Sequence, residues 1–258
     1  MEQLTLVKVG GKILEDPASL DRLLTDFAAI GGAKILVHGG GRSATAMAAR
    51  LGVETTMIDG RRVTDDAMLE IVTMVYGGLV NKNVVAGLQS RGVNALGVTG
   101  ADMNLIRAHR RAATATADFG WVGDVDSVSA ESLRAIIQAG ATPVIAPLTH
   151  DGNGHLLNTN ADTMASVTAI AMARYYEVRL VFCFEKPGVL ADENDDNSVI
   201  PVINRDTFSV LRADNVVSGG MIPKLENALN AVDSGVAEVI ITRASSLNDL
   251  DAGTHIIK

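Results

Sequence analysis

Short apolar segments alternate with longer amphipathic segments along most of this chain. The short segments are apolar at successive positions, as strands covered by helices on both faces require. The strands predicted in this way are residues 4–9, 34–38, 93–99, 142–147, 178–184 and 238–242. The helices predicted from helical spacing are residues 19–30, 43–51, 65–90, 130–139, 161–175 and 224–234. This alternation predicts an α/β fold in which helices cover both faces of a mainly parallel sheet.

The composition favours a folded domain with a large core and argues against two classes of partner. The 258 residues are 47% apolar, and 22 Lys and Arg against 30 Asp and Glu give a net charge of −8. This acidic balance argues against nucleic acid or a membrane surface as a general partner, since both attract basic patches. The single cysteine, Cys183, cannot form an internal disulfide, which favours a reducing compartment.

No segment has the pattern of a secretory leader or a membrane span. Residues 1–9 have neither a basic start nor a long apolar core. The longest weakly polar run, residues 164–173, is about half of what a membrane-spanning helix needs. We therefore expect a soluble, cytoplasmic protein.

Glycines cluster next to the predicted strands and helices. Residues 10–11 are glycines after the first strand, residues 39–41 are glycines after the second, and residues 219–220 precede the last long helix. Ligands of parallel sheets lie at the carboxyl ends of strands, where bare backbone N–H groups can bind phosphate. Tight turns without a ligand are the alternative for any one cluster. Three clusters near lysines or helix starts favour a phosphate site.

Residues 39–44 also fit, in outline, a dinucleotide-binding fingerprint. They have the pattern G-x-G-x-x-A between a strand and a helix, and Asp59 follows at about the required distance. A nicotinamide-dependent dehydrogenase is therefore one alternative. It leaves Lys8 and Lys224 without a role, whereas phosphoryl transfer needs cations around the transferring group. The chain contains no Walker pattern, which excludes a P-loop nucleotide enzyme.

Several charged residues are candidates for the chemistry. Lys8 lies inside an apolar strand, where an unpaired ammonium is costly, unless the strand is an edge strand and the side chain faces solvent. Lys224 follows Pro223, the predicted first helical residue, and a cation there favours a nearby anion. Asp162 is expected in the first turn of its helix, either as part of a cap or between the two lysines. One arginine of residues 61–62 can bind a substrate carboxylate.

Five motifs together resemble a known family. They are VKVGG at 7–11, VHGGG at 37–41, GRRVT at 60–64, LNTNAD at 157–162 and GMIPK at 220–224. Their order and spacing are similar to those of the N-acetylglutamate kinases, a branch of the amino-acid kinase family. The resemblance implies a three-layer αβα sandwich around an open, mainly parallel sheet, as in carbamate kinase. It also implies a substrate-binding N-terminal lobe, residues 1–175, and an ATP-binding C-terminal lobe, residues 176–258, joined by one continuous sheet.

The resemblance further implies a role for each motif residue. Lys8 and Lys224 are expected to stabilise charge on the transferring phosphoryl group, and Asp162 to organise the two lysines. The implied substrate-binding residues are Gly40, Gly41, Arg62 (rather than Arg61), Asn158 and Asn160. The implied nucleotide- and phosphate-binding residues are Gly10, Gly11, Glu185, Gly188, Ser218 and Gly219. The implied cofactor is ATP with Mg²⁺ bound mainly by the nucleotide's own phosphates, and no protein metal site is expected.

The implied reaction is ATP-dependent phosphorylation of the side-chain carboxylate of N-acetyl-L-glutamate, the second step of arginine biosynthesis. This carboxylate is already ionised at neutral pH, so the reaction needs no general base and no catalytic histidine. N-succinyl-L-glutamate stays open as the substrate. Relatives commonly have a Ser/Thr-Asp pair where this chain has Phe184 and Glu185. That departure leaves the nucleotide contacts open and is the one feature that favours a non-catalytic sensor.

The resemblance also carries an expectation about assembly. Members of the family that arginine inhibits have an extra N-terminal helix, whereas the first strand of this chain is predicted to begin near residue 4. The expected partners are therefore a second copy of the chain, in a homodimer that arginine does not regulate, and the small-molecule substrates.

Overall fold

Strands and helices alternate along the computed structural model, which describes residues 1–58, 60–217, 219 and 221–258. The strands are β1 (Glu2–Val9), β2 (Ala33–His38), β3 (Met57–Ile58), β4 (Arg61–Arg62), β5 (Ala95–Val98), β6 (Ile106–Arg110), β7 (Gly123–Val128), β8 (Thr142–Ile145), β9 (Leu148–His150), β10 (Leu156–Asn158), β11 (Tyr176–Phe184), β12 (Val202–Ile203), β13 (Glu238–Arg243) and β14 (Thr254–Ile256). The α-helices are α1 (Gly11–Glu15), α2 (Pro17–Ala29), α3 (Gly41–Arg50), α4 (Asp66–Val72), α5 (Asn81–Gln89), α6 (Ala130–Gln138), α7 (Ala161–Met172), α8 (Arg205–Ala213) and α9 (Met221–Asp233). A π-helical segment, Thr73–Val80, joins α4 to α5, and 3₁₀ turns occupy Asp102–Asn104 and Ala244–Ser246.

The centre of the fold is an eight-stranded sheet with the order β12-β14-β13-β11-β1-β2-β8-β5. The six strands predicted from the sequence are the neighbours from β13 to β5, and every pairing among them is parallel. Only β14 pairs antiparallel with its neighbour β13. A four-stranded sheet, β10-β9-β6-β7, and the hairpin β3–β4 were not predicted. The division into two lobes at residue 175 stays a prediction, and strands from both sides of it pair in the main sheet.

Helices cover both faces of the main sheet, as the α/β prediction requires. Leu4 and Leu6 of β1 belong to the hydrophobic cluster that includes α6, α7 and α9. Val7 and Val9 belong to the cluster on the opposite face, which includes α2 and α5. Side chains of a strand alternate between its two faces, so Lys8 shares the face of Leu4 and Leu6. Its side chain is thereby directed toward the layer that contains α7 and α9.

The segments α4 to α5 form one continuous helix, Asp66–Gln89, which is long and apolar enough to cross a membrane by length and composition alone. In the structure, Ile71 and Tyr76 pack in a cluster with residues of α3 and β9. Val84 and Leu88 pack in a cluster with residues of α2. These contacts show that the helix Asp66–Gln89 packs against other elements of the fold through two hydrophobic clusters.

The helix that carries Lys224 begins earlier than the sequence predicts. Because α9 starts at Met221, Pro223 is the third helical residue, and its prediction as the first was wrong. Proline is tolerated there because the first N–H groups of a helix have no partner within the helix. Lys224 still lies at the N-terminal end of α9, so its predicted place at the start of a helix is retained.

Candidate active site

A cavity of about 370 Å³ opens where β2, β10 and β11 end. The residues predicted from the sequence that line it are Gly40, Gly41, Arg62, Asn158, Asn160, Asp162 and Lys224. Other lining residues include Tyr76, Arg111, Asp124 and Phe184. The structure therefore brings every predicted substrate-binding residue into one site with two of the three predicted catalytic residues.

The third predicted catalytic residue, Lys8, is buried and forms an ion pair with Asp162, which lines the cavity. Its Nζ lies 2.6 Å from Oδ1 of Asp162, and the residue is only 7% exposed. Lys8 faces the α7 layer from β1, and Asp162 lies in the first turn of α7. The carboxylate compensates a buried ammonium that would otherwise be costly. The alternative that Lys8 faces solvent from an edge strand is wrong, because β1 is central in the sheet.

Lys224 reaches the same place from α9. Its Nζ lies 4.3 Å from the centroid of the Phe184 ring, and the Nζ of Lys8 lies 5.5 Å from that centroid. Both distances are within the range of a cation–π contact. Asp162 pairs with Lys8, and its predicted organisation of both lysines stays a prediction.

Two glycine loops meet beside these lysines. A Cβ added to Gly11 would lie 3.7 Å from the backbone N of Gly41 and 3.8 Å from that of Gly40. No described side chain caps α3, so the N–H groups at its N-terminus have no partner within the helix and can bind an anion. Gly40 has a steric requirement as well, since its Cβ would lie 2.7 Å from Cδ1 of Tyr76. This geometry suits an anionic group, and phosphate binding at these glycines stays a prediction.

The loop of residues 39–41 is supported by a buried histidine. Nδ1 of His38 lies 2.7 Å from the carbonyl oxygen of Gly39, and Nε2 lies 3.1 Å from Nδ2 of Asn81. These contacts fit the tautomer in which Nδ1–H donates to Gly39 and Nε2 accepts from Asn81. The pKa of His38 is lowered to about 4. Burial is the main cause and the charge of Lys82 adds to it, whereas the hydrogen bond to Gly39 opposes the shift. The ring is therefore neutral at pH 7, and its contacts give it a structural role in the loop.

Arg62 reaches from β4 toward the N-terminal end of α3. Its Nη2 donates to the carbonyl oxygen of Gly41 at 2.8 Å and to Oγ1 of Thr45 at 2.7 Å. Arg62 is partly buried and Arg61 is exposed, although both line the cavity. A guanidinium oriented in this way has further N–H groups that can bind a carboxylate. The choice of Arg62 as the carboxylate ligand stays a prediction.

A third guanidinium in the cavity, that of Arg111, was not predicted. Nε of Arg111 donates to Oδ2 of Asp124 at 3.0 Å, and both residues line the cavity. The hydrogen bond from Arg111 lowers the pKa of Asp124, and the same bond raises the pKa of Arg111. The only local sign of this arginine in the sequence was the basic run of residues 109–111, which begins within the unpredicted strand β6.

The two asparagines of the 158–160 segment have different contacts. Nδ2 of Asn158 donates to Oγ1 of Thr64 at 2.9 Å, which joins the end of β10 to the loop after β4. Oδ1 of Asn160 accepts from the backbone N of Asp162 at 2.9 Å and of Thr163 at 3.0 Å. The cap of α7 is thus Asn160, which leaves the carboxylate of Asp162 for its ion pair. Substrate contacts of both asparagines stay predictions.

The predicted nucleotide-binding residues Gly10 and Glu185 directly follow β1 and β11, which are neighbours in the main sheet. A Cβ on Gly10 would lie 3.9 Å from Nζ of Lys8, so this glycine leaves room for the ammonium. Glu185, the residue after β11, forms an ion pair with Lys12, and both side chains are about half exposed. A nucleotide contact of Glu185 stays a prediction.

The remaining predicted nucleotide-binding residues are described in part. Gly188 is closely packed, since a Cβ there would lie 2.8 Å from Oγ1 of Thr254. Gly219 is exposed and has a φ of +54°, a conformation that favours glycine. Ser218 and Asp59, the acidic residue of the dinucleotide fingerprint, lie outside the described residues.

The donor groups of the cavity fit anionic ligands. Within the described ranges, no group of three His, Cys, Asp or Glu side chains is placed to hold a metal ion. The cavity carboxylates of Asp162 and Asp124 each pair with a cation. Such a donor set fits a Mg²⁺ that is bound mainly by nucleotide phosphates. Two ammonium groups, three guanidinium groups and uncapped N–H groups can together bind phosphate and carboxylate.

Comparison with known proteins shows to which protein family this chain belongs. Residues 3–243 match the Amino acid kinase family, and the chain therefore belongs to that family. Membership of this family makes it a kinase, which argues against the dehydrogenase alternative. The chain is 61% identical over 257 residues to a protein of Bacteroides thetaiotaomicron, and the match covers 100% of this chain and 99% of the relative. That relative is named acetylglutamate kinase, so the resemblance drawn from five motifs is confirmed.

Solved structures confirm the predicted fold. The structure of smu.665 from Streptococcus mutans UA159 matches with a TM-score of 0.79 and 26% identity, and the match covers 98% of each chain. The N-acetylglutamate synthase of Neisseria gonorrhoeae, complexed with coenzyme A and N-acetyl-glutamate, matches with a TM-score of 0.83 and 20% identity. This second match covers 99% of this chain and 59% of the synthase, and it shows the fold alone.

Proposed function

We propose that this chain phosphorylates the side-chain carboxylate of N-acetyl-L-glutamate with ATP, which yields N-acetyl-L-glutamyl 5-phosphate in the second step of arginine biosynthesis. The observation that carries the proposal is the convergence of the Lys8–Asp162 ion pair and Lys224 on one cavity beside the uncapped N-terminus of α3. The relative that is 61% identical and named acetylglutamate kinase supports this choice of substrate.

The reaction depends on positioning and charge stabilisation. A carboxylate oxygen of the substrate bonds to the γ-phosphorus of ATP, the bond from that phosphorus to the β–γ bridging oxygen breaks, and ADP leaves. No proton is transferred, because the attacking carboxylate is already ionised. Lys8 and Lys224 stabilise charge on the phosphoryl oxygens, and Arg62 holds a substrate carboxylate. Mg²⁺, when bound to the ATP phosphates, supplies further charge neutralisation.

A hydroxylamine trap tests the proposal directly, because hydroxylamine converts an acyl phosphate into a stable hydroxamate. We expect hydroxamate that requires MgATP and N-acetylglutamate, and little from glutamate, aspartate or carbamate. Faster turnover of N-succinylglutamate would select the succinyl substrate instead. Failure of both acylated substrates to give hydroxamate would refute the proposal. Binding of the acylated amino acid without turnover would indicate a sensor.

We further propose that two copies of the chain associate in the cytoplasm. The strand β5 lies at an edge of the main sheet, and Leu96 on it is exposed. The adjacent continuous helix exposes Met74 and Leu79. An open strand edge and exposed apolar side chains on a helix are each features that a second copy can cover. Sedimentation analysis is expected to give a dimer mass, and Leu79→Lys is expected to yield monomers. A monomeric wild type would contradict this assignment.

A further inference from the structure

We propose that Phe184 is a positioning residue whose ring holds the ammonium groups of both Lys8 and Lys224 at the cavity. The inference rests on the proposed role of these lysines in phosphoryl transfer. Its basis is that the Nζ atoms lie 5.5 Å and 4.3 Å from the centroid of one ring. Phe184 also lines the cavity, so the ring and the two cations share the site at which the phosphoryl group is expected.

The position of the ring follows from the strand that carries it. Lys8 of β1 is in register with Phe182 of β11, so Phe182 and Phe184, two residues apart, share the face of Lys8. The rings of Phe182 and Phe184 stack with centroids 6.1 Å apart and an angle of 16° between their planes. Phe182 is buried at 6% exposure and supports the outer ring. Phe184 is therefore held with its ring among the lysine side chains.

An aromatic ring serves two neighbouring ammonium groups in a way that a second carboxylate does not. Asp162 already pairs with Lys8, whereas Lys224 has no ion pair among the residues that the structure describes. The face of an aromatic ring attracts a cation without cancelling its charge or occupying its three N–H donors. A carboxylate in place of the ring would compete with phosphate for those donors and repel the anionic substrates. The ring thus orders Lys224 and leaves its donors available to the phosphoryl oxygens.

The contact and its consequence can be measured separately. In protein with ¹³C-labelled lysine, the ε-methylene resonance of Lys224, assigned with Lys224→Arg, is expected to be shifted upfield by the ring current of Phe184. In Phe184→Leu we expect this shift to disappear and kcat to fall about tenfold, with a smaller change in KM, within the range that cation–π contacts allow. Phe184→Tyr retains the ring and is expected to retain the shift and most of kcat.

Two further variants separate positioning from packing. Phe208→Leu removes a buried ring of α8 from the same hydrophobic cluster and controls for the loss of aromatic packing. Phe184→Met fills a similar volume without an aromatic face, and it replaces the leucine variant if that protein is unstable. Loss of both shift and kcat in the Phe184→Leu or Phe184→Met protein, but not in Phe208→Leu, supports the inference.

Two results would overturn the inference. One is an unchanged Lys224 resonance in Phe184→Leu, which would show that the ring does not contact the lysine in solution. The other is an unchanged kcat after the shift is lost, which would show that the contact does not position the lysine for catalysis. A wild-type protein without turnover would refute the proposed function instead, and the resonance would still report whether the ring holds Lys224.

Discussion

Acid is expected to destabilise the fold through one buried histidine before the carboxylates lose their charge. His38 is completely buried, and its Nε2 lies 3.1 Å from Nδ2 of Asn81, which also donates to the carbonyl oxygen of Val144. A proton added at Nε2 would place an N–H donor against an amide donor. The positive charge would also be buried near Lys82, which contributes to the lowered pKa of His38.

The size of the effect follows from the difference between two pKa values. The pKa of His38 is lowered from 6.5 to about 4 in the folded protein, and this difference of about 2.5 corresponds to about 3 kcal/mol. Between these values the unfolded chain binds the proton and the folded protein does not, so unfolding becomes easier as the pH falls. The contribution of neutral His38 is complete above about pH 6.5, decreases with acidification, and is lost by about pH 4.

Urea unfolding at a series of pH values from about 7 to about 4.5 measures this contribution, and His38→Gln removes the titrating ring. The variant is expected to lose less unfolding free energy than the wild type across the window, by up to about 3 kcal/mol. Ion pairs that the substitution does not touch, such as Asp151–His155, are present in both proteins and cancel in the comparison. His109→Gln, at an exposed histidine, is the matched control and should behave like the wild type. Equal pH dependence in the wild type and His38→Gln would refute the reasoning.

Three further predictions concern the cavity. Lys8→Met is expected to lower kcat by at least about a hundredfold and to destabilise the fold by about 3 kcal/mol, since it leaves Asp162 without its partner. Adding Asp162→Asn to this variant should restore stability but not kcat, and a restored kcat would contradict the role of the lysine. Gly40→Ala would place a Cβ 2.7 Å from Cδ1 of Tyr76 and should raise KM in steady-state assays, an effect that Tyr76→Leu should relieve if the clash is the cause. Arg62→Lys is expected to raise KM for N-acetylglutamate about tenfold or more with little change in kcat, and an unchanged KM would remove Arg62 from the substrate site.

The elements of the fold that can be predicted from the sequence are those with a clear local pattern of apolar residues. Strands buried on both faces read as short apolar runs, and six of them are the six parallel neighbours of the main sheet. Lys8 could be singled out for the same reason, because a charge inside such a run is costly without a partner. The order of motifs along the chain supplied Asp162 as a candidate partner, and the structure confirms their ion pair.

The features that could not be predicted depend on pairing between distant segments. In β6 only Ile106 and Ala108 are buried, and an irregularity in the pairing with β6 interrupts β7 between Val125 and Ser127. Neither strand therefore has the continuous apolar run by which the strands of the main sheet were predicted. Arg111 and Asp124 meet only because these strands pair, so their place in the cavity has no signature in either segment alone.

The end of β11 shows that the alternation of strand side chains can identify a site residue that residue type alone does not. Glu185, whose nucleotide contact stays a prediction, pairs with Lys12 at a half-exposed position. Phe184 was treated only as part of a departure, yet its ring lies beside both lysines. Consecutive strand residues point to opposite faces, and the register of Phe182 with Lys8 places Phe184 on the lysine face. That register is set by the pairing of segments more than 160 residues apart, so an apolar residue could be recognised as part of a charged site only after the two strands had been aligned.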